Sequence, residues 1–547
     1  MKNGCFCVWR TMAALLLTAG AVLADGFSYG VSAGDVTYTS AVLWTRPDEP
    51  GAVLLTVASD AALTNVVTQV SLTADEASDL TVRADVTGLT PATSYYYRFA
   101  YVDRPERQSA VGTFRTAPPA DRPSGLRFVF SGDTNFKYAP FAVVGHAADE
   151  AADFCIWFGD VIYGDVPAGG VGVAKTLDEY RAKYRQVLGD VNVQRLLQRM
   201  AVWTGWDDHE VENDYVGTDP AIADQIAAAY QAFFEYMPIR RQGMADDPFR
   251  TYRRVRYGQT AELFFLDERQ YRDDSVYDAC NGNPDPFGFA LRGLTFNQFC
   301  LDLMRQPRTL LGDAQREWLL NGLKESTAAV KFVVNNVPVT HIGVYPFDRW
   351  DGYDAERKQI LEFIDANQIT GVVFLTTDIH ANAVNPDVCA YFRAHRPDYQ
   401  LSNGVSVAEI IAGPFGNETL HFELIENAAE LLRLGRSPII DFLLAALERQ
   451  VILKVRDLNG LTFIHNDRVA YVVIDVNESG QLNVTYRGVR PEHAQNSEVV
   501  PEILHSGALT DETPLPPPPC ALPFLTGLLF AYAYASRLQR RVRAGEL

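Results

Sequence analysis

Four short stretches place acids, histidine or a phenol directly behind apolar runs: SGDTN (131–135), GDVIY (159–163), WDDHE (206–210) and TTDIH (376–380). Taken singly, each has an ordinary explanation. Gly and Asp favour turns, and an acid-rich stretch such as GWDDHEVEN (205–213) reads as a solvated loop. Four such stretches in one region are another matter. Carboxylates gathered out of water repel one another at considerable cost unless a cation compensates. The donors are carboxylates, an amide, a phenol and imidazole, with no thiolate among them. Such hard donors suit calcium, magnesium, manganese or ferric iron better than a structural zinc. Two or more such ions about 3.5–4 Å apart clamp both oxygens of an in-line phosphoryl displacement.

The elements that must hold these residues follow one plan. LRFVFSGD, ADFCIWFGDVIYGD, AELFFLDERQYR, KFVVNNVPV and TGVVFLTTDIH are strand-like runs whose C-terminal ends carry acids, Asn or His. Helical patterns lie between them, at Leu177–Leu188, Asp219–Tyr236 and Ala314–Ser326. Strands alternating with helices predict an α/β domain with buried sheets. In such sheets ligands bind beyond the carboxyl ends of the strands, so five strand ends present polar groups along one edge. Ahead of this, residues 25–117 read as all-β, with short alternating runs bounded by Gly, Pro, Asp and Asn. LTPATSYYYRF resembles the fibronectin type III signature through Leu89, Pro91, Thr93, Tyr95 and Tyr97. APPADRPSG (117–125) reads as a linker, and short strands return at about 450–505.

The order SGD, GDxxY, DDHE and DxH resembles the metallophosphatase superfamily. Its purple acid phosphatase branch shares GDxxY and has Gly-Asn-His-Glu where this chain has Asp207-Asp208-His209-Glu210. The chain is most similar to the alkaline phosphatase D (PhoD-like) family. FFEYMPIR, YRRVRYGQTAELFFLDERQYR, LLGDAQREWL, DRWDGYDAER and TTDIHAN carry the likeness over about 122–420, and AGDVTYTSAVLWTR matches the family's N-terminal module. The resemblance implies a metallophosphatase-type α/β sandwich of βαβ units, preceded by an all-β fibronectin type III-like domain. It also implies an exported phosphate-ester hydrolase with a di- or trinuclear metal centre, iron and calcium in characterised members. Carried over by position, Asp133 is the first ligand, Asp160 bridges two ions, and Tyr163 is the ferric phenolate. Asp208 stands where purple acid phosphatases have Asn, and Asp378 and His380 complete the set. There is one departure. The family's Ser-Cys-Gln first motif is Ser131-Gly132-Asp133 here, which keeps an anionic ligand without the thiolate and leaves manganese or magnesium as alternatives to iron.

On this reading a metal-activated water attacks phosphorus in line. His209 protonates the leaving oxygen or steadies developing charge. Arg269 and Arg272 grip non-bridging phosphate oxygens, and Asn213 hydrogen-bonds a metal-bound oxygen or is itself a ligand. Blander readings stand beside these. Arg269 is otherwise a structural ion-pair partner, and Asp267 a cap as readily as a ligand neighbour. His341 reads as a core or loop histidine. Trp350 and Tyr353 wall a pocket, or Asp351 caps or ligates. Trp203 and Trp206 read as core aromatics.

The two ends carry addressing signals. Lys2, Arg10, the apolar run Met12–Val22 and the small residues before Asp25 form a Sec-type signal peptide at 1–24. Residues 506–547 hold a proline-rich spacer, a short apolar segment and the basic SRLQRRVR, the pattern of a bacterial sorting or anchor segment. Together they predict a periplasmic, cell-surface or secreted bacterial protein, with membrane or surface association through the tail. A catalytic domain at 122–505 and the β domain at 25–117 account for the rest of the 547 residues, too many for one core. A net charge of −20 argues against a nucleic-acid scaffold as partner, since that needs a cationic surface. Of the seven cysteines, Cys280 and Cys300 bracket a Gly/Asn/Pro-rich loop and are the expected disulfide, while Cys155 in FCIWF reads as a buried thiol. The expected substrates are small phosphate esters, with phospholipid or nucleotide diesters (a phosphodiesterase or phospholipase D-like activity) as the alternative. A non-catalytic surface adhesin is the remaining reading from another class.

Overall fold

The computed structural model describes residues 25–243, 247–277, 302–342, 347–431 and 438–511. Both end segments, 1–24 and 512–547, and the Cys280–Cys300 pair lie outside the described residues. Strands are numbered along the chain. Three sheets are formed among the described residues. The largest runs in the order β20 (Glu502–Gly507), β19 (Leu482–Val489), β18 (Val469–Val476), β8 (Leu126–Ser131), β9 (Phe154–Phe158), β10 (Ala201–Gly205), β1 (Val31–Gly34), β2 (Ser40–Thr45), β5 (Val82–Thr87). The second runs β11 (Arg253–Tyr257), β12 (Ala261–Phe265), β13 (Val330–Val334), β14 (Val372–Thr376), β16 (Val407–Ile411), β15 (Asn382–Asn385), β17 (Phe463–His465). A smaller sheet of β4 (Val66–Ala74), β3 (Gly51–Ala58), β6 (Ser94–Tyr101) and β7 (Gly112–Arg115) completes the set.

The central strands of both large sheets are parallel and buried on both faces, which is why they read as unbroken apolar runs. Alternation decides which face each residue serves. Phe128, Phe130, Ile156 and Phe158 of the first sheet pack against Leu263, Phe265, Phe332 and Leu375 of the second. Residues of opposite parity, Val129, Cys155, Trp157 and Val202, turn outward to helices Leu177–Leu188, Val191–Arg199 and Ala223–Tyr236. On the far side Phe264, Val333 and Phe374 meet helices Asp313–Glu325 and Asp354–Ala366. The result is two facing sheets between two helical layers.

Three sequence expectations shift. The helix expected from Asp219 begins at Ala223, because Pro220 disfavours helical backbone at the residue before it. Helices Leu420–Leu431 and Pro438–Asn459 lie where no helix was read, the second reaching into the stretch assigned to strands. The N-terminal β region does not form its sheets alone. Its β1 pairs in parallel with β10, so β1, β2 and β5 extend the large sheet. A buried ion pair, Arg253 to Asp35 at 2.8 Å, fastens the same seam. Cys155 and Cys389 are buried free thiols. Among the described residues no helix is long and apolar enough to cross a membrane.

Candidate metal centre

The loops after β8, β9, β10 and β14 converge. They deliver Asp133, Asp160, Asp207 with Asp208, and Asp378 with His380. Their ligating atoms fall into linked groups, each within 4.8 Å: Asp133–Asp160–His380, Asp160–Asp208–His209, Asp207–Asp208–Asp378 and Asp208–Asp214–Asp348. Asp160 belongs to two groups and Asp208 to three, so the carboxylates form a continuous string with room for more than one cation.

These loops hold unusual backbone. Asp133, Asp160, Asp214, Asp378 and His380 all have φ between 50° and 64°, the left-handed region that costs L residues energy and clusters at functional sites. Interloop bonds over-determine it. The Thr134 amide donates to Asp160 O (2.8 Å), Gly416 to Asp133 O (3.1 Å) and Leu420 to His380 O (2.9 Å). Glu210 ties the second and third loops together, accepting the amides of Asp207 (2.7 Å), Val161 (2.7 Å) and Asp160 (3.1 Å). It is a brace, not a substrate-side acid. Gly132 meets a tight constraint, since a Cβ there would lie 2.5 Å from the Phe158 carbonyl oxygen. A cysteine at 132 has no room on this backbone, and Asp133 supplies the first-motif donor.

Electrostatics single out the same residues. Burial pushes Asp133 up to about 7 against the pull of His380. Burial, then the charges of Asp208, Asp207 and Glu210, drives Asp160 well above the carboxylate range. Asp208 goes the other way: burial is outweighed by the Arg269 and His209 charges beside it. Burial would lower His209, but Asp208 and a 2.7 Å bond from Nδ1 to Asp165 raise it to about 9. Both Asp133 oxygens are buried and accept no hydrogen bond from the protein. Orphaned acceptors of that kind require explanation, and hard cations fit the donor set: carboxylates, the Tyr163 phenol and imidazole. Tyr163 lies 3.2 Å from His380 Nε2, with its ring stacked on His209 at 4.1 Å between centroids.

Other candidates fall elsewhere. Arg269 and Arg272 are not open phosphate forks. Arg269 is fully buried, bonded to Asp207 and to Asp348 (2.7 Å), with Asp378 and Asp208 at 3.6 and 3.7 Å. Arg272 donates to Asp348 (2.5 Å) and to the Asp214 carbonyl. Both guanidinium groups face carboxylates, an arrangement of the kind given as the alternative for Arg269. Asn213 is exposed, and only its backbone amide joins the network, through Asp165 at 3.0 Å. Asp267 caps a turn, accepting the amides of Arg269 and Gln270. Trp203 and Trp206 stack in the core on Phe265 and Tyr230.

DRWDGYD contributes differently from expectation. Trp350 and Tyr353 are buried, while Asp351 pairs with His341 (2.8 Å) and Arg357 (2.7 Å), away from the cluster. Its neighbours Asp348 and Arg349 face the site instead, Arg349 lying 3.2 Å from Asp378. Nearby Asp354 accepts from Arg357 (2.7 Å), Arg396 (2.7 Å) and the Tyr399 hydroxyl (2.6 Å). Burial opposes ionisation, yet these donors bring it down to about 2. Its folded value lies below the unfolded one, so this stabilisation, about 2 kcal/mol, is whole above about pH 4 and lost as pH falls through about 2. The urea stability gap between wild type and Asp354→Asn is expected to close over that window; a gap independent of pH would exclude the assignment.

Sequence reasoning missed Asp165, Asp214, Asp348, Asn417 and Glu423. Asn417 lies on the loop after β16 and also borders a cleft of about 550 Å³ walled by Tyr138, Phe422, Arg468 and Arg490.

Comparison with known proteins agrees with this architecture. The sequence profile of the PhoD-like phosphatases matches residues 128–477, and that of their N-terminal domain matches 15–118. Alkaline phosphatase D of Bacillus subtilis (strain 168) is 31% identical over 395 residues. The match spans 65% of this chain and 64% of that protein, just under two thirds of its length. A solved structure of PhoD superposes with a TM-score of 0.70 at 25% identity, covering 90% of this chain and 94% of its own. Purple acid phosphatase PPD1 from yellow lupin seeds shares the fold, with a TM-score of 0.52 at 12% identity over 89% of this chain and 77% of its own. With catalytic and N-terminal regions both matched in order, and with strand-end loops gathering the carboxylates and histidine, the chain belongs to the PhoD-like phosphatase family.

Proposed function

We propose that the protein is an exported, metal-dependent phosphate-ester hydrolase. The observation that carries the reading is the string of carboxylates, buried at Asp133, Asp160, Asp207 and Asp208 and anchored by Asp133, whose two oxygens have no protein donor. Asp133, Asp160, Tyr163, Asp208, Asp378 and His380 would hold the ions, with Asp214 and Asp348 extending the string. When bound, such ions activate water and neutralise the phosphoryl oxygens. The protein's own residues do the rest. Asp165 holds the proton on His209 Nδ1, and with the ring pKa raised to about 9 the imidazolium carries a second proton on Nε2 that it can donate to the leaving oxygen. Arg269 and Arg272 keep Asp207 and Asp348 in place. Glu210 locks the loop that carries Asp160. The family's metals, iron and calcium, and the hard alternatives manganese and magnesium all suit this donor set.

Diester hydrolysis is the second reading. The cleft reaching Asn417 gives room for a second ester arm and favours it. The N-terminal pattern supports export, and the C-terminal segment supports surface association.

The test strips the purified protein with a chelator and refills it with single ions, assaying p-nitrophenyl phosphate and its bis ester in parallel. Hydrolysis is expected to vanish on stripping and return with at least one of iron, calcium, manganese or magnesium. The ratio of the two rates separates monoesterase from diesterase. Turnover indifferent to chelation would sink the proposal.

A further inference from the structure

This inference rests on Tyr163 and His380 being metal ligands. We infer that Asn417 is a positioning residue that presets the Tyr163 oxygen toward a cation, while Glu423 orients the His380 ring behind it.

The hydrogen-bond directions can be followed atom by atom. Asn417 is buried. Its Oδ1 accepts the Glu418 amide at 2.9 Å, which fixes which end of the side chain is nitrogen. Its Nδ2 therefore donates to the Tyr163 hydroxyl oxygen at 2.6 Å, with His380 Nε2 3.2 Å away. On the other side of the imidazole, Nδ1 lies 2.5 Å from a Glu423 oxygen. An ionised carboxylate only accepts, so Nδ1 carries the hydrogen, and when the ring gives up its second proton to a cation Nε2 is the nitrogen that ligates. Carboxylates behind metal-binding histidines act in this way.

Both residues belong to one segment that is tied to the ligand loops by main-chain bonds. Phe415 N donates to Gly132 O at 2.7 Å, Gly416 N to Asp133 O at 3.1 Å and Leu420 N to His380 O at 2.9 Å. The segment thus holds the backbone of two ligand loops while directing the donor atoms of two ligands. An N–H pointed at the phenol oxygen lowers the energy of the electrons that a phenolate there would share with a metal. Asn417 therefore sets how strongly Tyr163 donates as well as where it sits.

Ferric iron is the probe, added to the stripped full-length protein. Wild type is expected to show a visible tyrosinate-to-iron charge-transfer band. Asn417→Ala should move that band to longer wavelength, because the phenolate electrons rise in energy without the donor. Glu423→Gln should leave a band but weaken iron retention against a competing chelator by roughly 10–100-fold. A band at the same position in Asn417→Ala overturns the inference while leaving Tyr163 a ligand. No band in wild type overturns Tyr163 as ligand, and the inference with it. If Asn417→Ala fails to fold by circular dichroism, Asn417→Leu gives the same reading, since it keeps the side-chain volume and has no hydrogen-bond donor.

Discussion

Asp160→Asn is expected to cut turnover by roughly a thousandfold, the loss of about 4 kcal/mol of charge stabilisation in the transition state, while making the metal-stripped protein more stable. The opposed signs follow from position. Asp160 links the Asp133–His380 group to the Asp208–His209 group, so its loss weakens cation binding at both. In the stripped protein the same carboxylate is buried among Asp208, Asp207, Glu210 and Asp133, whose charges disfavour its ionisation. Asparagine removes that repulsion, and it tolerates the left-handed backbone at φ 50°. Melting curves with chelator and with added ions check the second half. The wild type should gain more from ions than the variant does. Unchanged turnover, or a stripped variant less stable than stripped wild type, would count against the metal centre described.

Arg269→Met should cost about 3–5 kcal/mol of folding stability. The guanidinium touches Asp207 and Asp348 directly and lies within 3.7 Å of Asp208 and Asp378. Burial would lower its pKa, yet these four acids hold it well above the ordinary value. Removing it leaves Asp207 buried without the cation that pairs with it, while Asp348 keeps Arg272 and Asp378 keeps Arg349, and an unpaired buried charge costs far more than losing a surface pair. Arg269→Lys should recover only part of the loss, because one ammonium cannot reproduce the fork that spans Asp207 and Asp348. Urea unfolding of both variants measures this. A loss below about 1 kcal/mol for the methionine variant, the range of an exposed pair, would mean that Arg269 is not the compensating charge.

The legible part of the site was the part written next to strands. Asp133, Asp160, Asp208, Asp378 and His380 follow apolar runs that are recognisable because both faces of each strand are buried. Their supporting groups were not legible, because nothing local marks them. Asp165 is 44 residues from His209, Glu423 is 43 from His380, and Asn417 is 254 from Tyr163. Arg269 and Arg272 were visible, but what they face was not. An arginine at a strand end has the same sequence signature whether it faces substrate or carboxylate, and only the fold places Asp207 and Asp348 against it. The fold was read in the same way. Parallel strands and the helices between them follow from periodicity, but β1, with the sequence VSAG, gives no hint that β10 is its partner.

That seam bears on how the protein is made. β1 leaves the ribosome long before β10, and β8 long before β18, which pairs beside it. The early β module therefore waits with an unsatisfied strand margin, a recognised invitation to wrong pairing, until the chain beyond Gly205 emerges. The loop after β8 that carries Asp133 waits longer still, for the loop after β16 whose Gly416 amide closes on Asp133. Pairings this distant in sequence are slow to find. If the proposed export holds, threading unfolded through a membrane channel and folding only on the far side would let all these partners become available together.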